Sequence, residues 1–139
     1  MTTYVQARDS IVTLLHTNLS ADKPYLPVYW ENTTAIDLDM AADPFIRITI
    51  EFDDAEQMTI NNTPERRVYG DLFITVFTKT GRGTRHVLEL FDYLENVVKY
   101  RNTGQVCLLT PQAGRKVEQG GWVAHVLRAP FFFDSMVWA

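Results

Sequence analysis

Residues 66–101 read RRVYGDLFITVFTKTGRGTRHVLELFDYLENVVKYR. The change of apolar period inside this stretch decides the fold. From Arg66 to Thr78 the pattern alternates: Val68, Leu72, Ile74 and Val76 share one face, and Tyr69, Phe73 and Phe77 share the other, with Asp71 and Thr75 between them. A period of two is that of a strand. Large apolar groups occupy both faces, so one face can take helices and the other needs a second cover. After Gly81-Arg82-Gly83 the period lengthens. Val87, Leu90, Phe91, Leu94, Val97 and Val98 recur at three- and four-residue steps, the stripe of an amphipathic helix from about Thr84 to Arg101. Arg85 with Glu89 and Glu95 with Lys99 are i,i+4 pairs on its wet side, and Gly104 reads as its stop. At about 1.5 Å per residue this helix spans roughly 27 Å, enough to cross five strands.

On the N-terminal side, residues 3–19 place Tyr4, Ala7, Ile11, Leu14 and Leu15 on one helical face, with Thr2 or Thr3 as cap. Ser20 to Pro27 breaks that helix. Val28 to Glu31 reads as a short strand and Asn32 to Pro44 as a polar loop. Phe45 to Phe52 alternates, with Ile46, Ile48, Ile50 and Phe52 pointing one way and Arg47, Thr49 and Glu51 the other. Asp53 to Glu65 reads as a polar loop with a turn signal at Asn61-Asn62-Thr63-Pro64, in which Met58-Thr59-Ile60 can extend a hairpin arm.

On the C-terminal side, Val106 to Leu109 is a short strand and Pro111 to Gly114 a turn. Arg115 to Gln119 and Trp122 to Arg128 form a hairpin around Gly120-Gly121, with Val123, His125 and Leu127 on one face. Pro130 lacks a ladder donor, so the strand ends, bulges or lies at an edge there. Phe131, Phe132, Phe133, Met136 and Trp138 follow, and alternation sets Phe132 opposite its two neighbours. Such a tail marks either a protein contact or a central strand buried on both faces. The order predicts one α+β two-layer domain over 1–139: a mixed, mainly antiparallel sheet of about five strands with an N-terminal and a central helix packed on it.

The 139 residues suit one domain, and a chain of this length buries roughly 68% of its unfolded surface without staples. A net charge of −4 argues against a nonspecific nucleic-acid binder, which needs a basic surface to release counterions. It leaves room for a protein that lets DNA pass without gripping it. The single cysteine, Cys107, allows no intramolecular disulfide and fits a reducing compartment. The opening MTTYVQARDS has no signal-peptide pattern, and no apolar run approaches the ~18 residues of a membrane span.

No cluster of reactive residues emerges. Gly81-Arg82-Gly83-Thr84 precedes a helix and is conceivable as an anion site, but it lacks the spacing of a phosphate loop or a dinucleotide turn; a tight turn capped by Thr84 accounts for it. His16, His86 and His125 lie in different elements without metal-ligand spacing. Cys107 sits in an apolar run and reads as a small core residue. Asp37, Asp39, Asp43, Asp53, Asp54 and Glu56 match no calcium loop, and Ser10, Ser20 and Ser135 lack a nucleophile motif. The chain is therefore expected to be no enzyme and to need no metal or cofactor.

The run Tyr69-Gly70-Asp71-Leu72-Phe73-Ile74-Thr75-Val76-Phe77-Thr78, then Gly81-Arg82-Gly83 and an amphipathic helix, resembles the tail-terminator (tail-completion, minor tail protein U-like) family of long-tailed bacteriophages and prophages. The N-terminal helix, the Pro-rich link and the late hairpin from Trp122 to Phe133 are similar in order. The resemblance implies a structural subunit forming a six-membered ring at the head-proximal end of the tail, made in the bacterial cytoplasm and carried in the virion. Its implied partners are further copies of itself, the major tail tube protein and a head-completion protein, with DNA passing through the lumen and no membrane. A head-to-tail ring needs two different patches per subunit. The loop Asp53–Glu65 and the aromatic tail are the expected ones, with Met58, Ile60, Phe132, Met136 and Trp138 as candidate interface residues. Another head–tail connector or minor tail protein, or an anion- or nucleotide-binding domain using Gly81–Thr84, is the alternative.

Overall fold

The computed structural model describes residues 2–31, 43–57, 65–81 and 83–136, with the side chains of Gln119 and Met136 set apart. Helix α1 (Tyr4–Asp22) precedes strands β1 (Val28–Trp30), β2 (Phe45–Gln57) and β3 (Glu65–Lys79). Helix α2 (Arg85–Val98) then leads to β4 (Cys107–Leu108), β5 (Gln112–Gln119) and β6 (Trp122–Met136). The fold is α+β, two helices on one open sheet of six strands ordered β1-β2-β3-β6-β4, with β5 also on β6. The β1–β2 pair is parallel, and every other pair is antiparallel.

The alternating face of β3 goes where the pattern sends it. Val68, Leu72, Ile74 and Val76 are buried with Ile46, Ile48 and Ile50 of β2 and Leu127, Ala129, Phe131 and Phe133 of β6, beneath both helices. At about 1.5–3 kcal/mol per fully buried large apolar side chain, this layer dominates stability. The stripe of α2 is buried as expected at Val87, Leu90, Phe91, Leu94, Val97 and Val98.

Helix α1 opens on a capping box. Thr3 Oγ1 accepts from the Gln6 amide at 3.2 Å, and Gln6 Oε1 accepts from the Thr3 amide at 3.0 Å. Its buried face is narrower than expected: Ala7, Ile11, Leu15 and Leu19 are buried, whereas Leu14 is half-buried and Tyr4 is 41% exposed, its ring edge-on to Phe52 and Phe133. A strict four-residue repeat gives a single line of contact, which excludes the flanking positions.

Besides the end of α1, which runs through Ser20 to Asp22 and stops at Lys23, three expectations need correcting. First, α2 ends at Val98, ahead of Gly104. Tyr100 takes φ 52°, and the backbone is drawn to β4 by bonds from Leu108 N–H to the Arg101 carbonyl (2.7 Å) and from Tyr100 N–H to the Leu109 carbonyl (3.4 Å). The helix is thus 14 residues, about 21 Å, and Lys99, just past it, lies over Tyr100 while Arg85 pairs with Glu89 at 3.0 Å. Second, 53–57 and 65 belong to strands, because β2 and β3 continue pairing through Gln57 and Arg66 past a bulge. Third, Gly114 lies inside β5 at a second bulge and not in a turn.

Pro130 neither ends nor bulges β6, whose register with β3 is unbroken from Trp122 to Met136. Its carbonyl accepts from Leu109 N–H at 2.8 Å on the side away from β3. Its missing N–H therefore faces the gap between β5, which stops opposite Arg128, and β4, which starts opposite Phe131.

Candidate functional site

The second face of the sheet is where the sequence leaves apolar groups without a helix. At one end Phe45, fully buried, stacks on Phe77 (4.6 Å between centroids, 8° between planes) and meets the edges of Trp122 at 5.1 Å and Tyr29 at 5.3 Å. At the other end Phe132 lies 6.5 Å from Tyr69 and under the Arg67 guanidinium at 4.3 Å. Arg67 is held there by a two-point contact with Asp134 at 2.9 and 3.3 Å. Between them is a shallow cleft of about 600 Å³, floored by Phe73, Thr75, Phe77 and Val126 and bordered by Arg47, Arg115 and Arg128 with Glu51. Arg128 pairs with Asp71 at 2.9 Å. Arg47 and Arg115 make no ion pair among the described residues.

Among the described residues the sheet also has two free edges. Strand β1 covers β2 only at Ile46–Ile48. The Glu31 carboxylate then takes the Ile50 N–H at 2.9 Å, and residues 51–57 run on exposed. The register slips between Phe52 and Ala55, which puts Asp53 and Asp54 in a bulge. On the far side β5 pairs only with β6, and its register slips between Ala113 and Lys116, which puts Gly114 and Arg115 in a bulge. Among the described residues neither Asp53 nor Asp54 has a partner, and Lys116 has only a loose contact with Glu118 at 3.7 Å.

The Gly81–Thr84 turn has its two glycines at φ 92° and 76°, conformations that favour glycine. Thr84 makes no side-chain cap bond. A small hollow beside the turn is also lined by Lys116, Glu118 and His125. Burial first, and then Lys116, hold His125 below the usual imidazole value. Its ring meets Phe91 edge-on at 6.2 Å, and its Nδ1 is buried without a hydrogen-bond partner. The three histidines stay apart on α1, α2 and β6, and among the described residues no His, Cys, Asp and Glu gather to hold a metal. Cys107 is half-buried instead of a core residue. Val106 and Leu108 take the core positions, which turns Cys107 to the open face opposite Phe132.

Of the expected interface residues, Phe132 stands on the open face, half-buried. The main chain of Met136 pairs with Glu65, while Met58, Ile60 and Trp138 lie outside the described residues. The bulged edges were missed. Their signals are the adjacent Asp53-Asp54 that breaks alternation after Phe52, and a glycine inside a strand-like run at Gly114.

These features define an α+β two-layer domain with one covered and one open sheet face. No family model matches the chain, and no curated protein matches its sequence. One solved structure, whose name carries no functional word, is similar over 95% of this chain and 96% of its own, with a TM-score of 0.57 at 16% identity, a likeness of fold.

Proposed function

We propose that the chain is a ring-forming tail terminator of a long-tailed bacteriophage or prophage, which caps the tail tube, stops its polymerisation and offers a surface for head attachment. The observation that carries this reading is the open sheet face. Both helices bury their stripes on one side. On the other, Tyr69, Phe73, Phe77 and Phe132 are only half-buried, with no described element laid across them. A two-sided apolar sheet with a single helical layer is completed by another protein surface. The order of elements is similar to that of the family, and the net charge of −4 suits a lumen that passes DNA without holding it. The alternative, an anion site at the Gly81–Thr84 turn, has Lys79 and Lys116 in its favour and Glu118 against it.

Analytical ultracentrifugation from micromolar to millimolar protein, with electron microscopy of the protein alone and mixed with tail tubes, tests this reading. Six-fold rings, free or at tube ends, are expected. A chain that stays monomeric throughout and ignores tubes is not a terminator. Six-fold rings that bind head connectors but not tubes would favour the connector alternative.

A further inference from the structure

Resting on the ring reading, we propose that successive copies join through the two free edges of the sheet. The Asp53–Asp54 bulge on β2 of one copy seats against the Gly114–Arg115 bulge and the adjoining Lys116 on β5 of the next. Both edges present main chain that nothing among the described strands pairs, and an unpaired edge is a template for another chain. The charges on them are opposite. Four acidic residues, Glu51, Asp53, Asp54 and Glu56, lie on the exposed part of β2. Arg115 and Lys116 lie together, exposed, on β5, with Glu118 only loosely against Lys116 at 3.7 Å.

Charges of one sign on both edges would keep copies apart. Opposite signs forbid β2 against β2 and β5 against β5 while favouring β2 against β5, which is selection by repulsion as much as by attraction. The edges stand on opposite sides of one sheet, with β3 and β6 between them, so a single copy cannot satisfy its own pair. The contact is heterologous and repeats from copy to copy, as a closed ring requires. The bulges limit this contact to a short stretch, because each interrupts the ladder of its own strand.

The test is charge reversal in the full chain. Asp53→Arg with Asp54→Arg puts basic groups at both contact points, and Arg115→Glu with Lys116→Glu puts acidic groups at both. Each double variant is expected to lose at least tenfold in self-association by sedimentation velocity at low salt, with its melting temperature kept because all four positions are exposed. Mixing the two variants restores complementary edges and should restore rings in which the variants alternate. Rings from either variant alone with wild-type affinity overturn the edge contact and leave the ring reading standing. So does a mixture of two folded variants that stays dissociated while the wild type forms rings. A wild type that never associates overturns both.

Discussion

At the scale of single residues, Gly70 leaves no room for a side chain. A methyl there would lie 2.5 Å from the Phe131 ring and 2.6 Å from the Glu51 carbonyl oxygen. The ring can move, but the carbonyl is backbone. Gly70→Ala is expected to cost about 1–3 kcal/mol in urea denaturation, and adding Phe131→Leu should recover only part of it. Tyr93 joins the helices, its hydroxyl 3.0 Å from the Asn18 carbonyl and 2.8 Å from the Asp22 carboxylate. Burial, then that carboxylate, pushes its pKa up to about 12. Folding therefore favours the neutral phenol. Its contribution is whole below the ordinary tyrosine value near 10 and is lost as pH rises through about 12. Absorbance titration should show one late-ionising tyrosine that Tyr93→Phe removes. His125 runs the other way. Its lowered pKa makes its contribution whole above about pH 6.5 and lost as pH falls through the folded value. His125→Phe is expected to flatten that part of the stability curve, and an unchanged slope would show that His125 does not set it.

At the scale of elements, α2 offers a paired comparison. Leu94 is fully buried and Leu88 is 53% exposed. Leu94→Ala is expected to cost about 2–5 kcal/mol and Leu88→Ala within about 0.5 kcal/mol, both read as midpoint shifts at constant denaturant slope. The buried stripe of α2 and the two faces of β3 were legible because six or more apolar residues repeat at one period, and burial acts on that period directly. The ends of elements were not. Val98 ends α2 because Tyr100 and Arg101 bond to residues of the β4 segment, a partner several residues away that no local pattern names. Gly114 read as a turn because a bulge and a turn share residue chemistry, and only the pairing with β6 separates them. Cys107 was misplaced by its apolar neighbours, since a two-residue strand is too short to show which face each residue takes. Of the candidate site, Phe132 was legible from the triple phenylalanine by alternation alone. The open edges of β2 and β5 among the described strands follow from strand order, which the sequence does not state.

At the scale of the whole molecule, a sheet with one helical layer makes the uncovered side a test of association. If the open face is covered in the assembled state, Phe73→Ser should leave the monomer folded yet weaken rings, whereas Leu72→Ser, one residue away on the buried side, should unfold the chain. Circular dichroism with sedimentation separates the two outcomes, and equal loss of fold in both would place Phe73 in the structural core. The strand order also constrains synthesis. Strand β3 lies in the middle of the sheet, but its second neighbour, β6, follows α2, β4 and β5 along the chain. While the ribosome makes those intervening segments, β3 can pair only with β2, and a nascent chain carries an apolar strand with one side bare. Delay there invites capture by another nascent copy, so yield in cells should respond more to slowed translation between α2 and β6 than to slowing anywhere earlier.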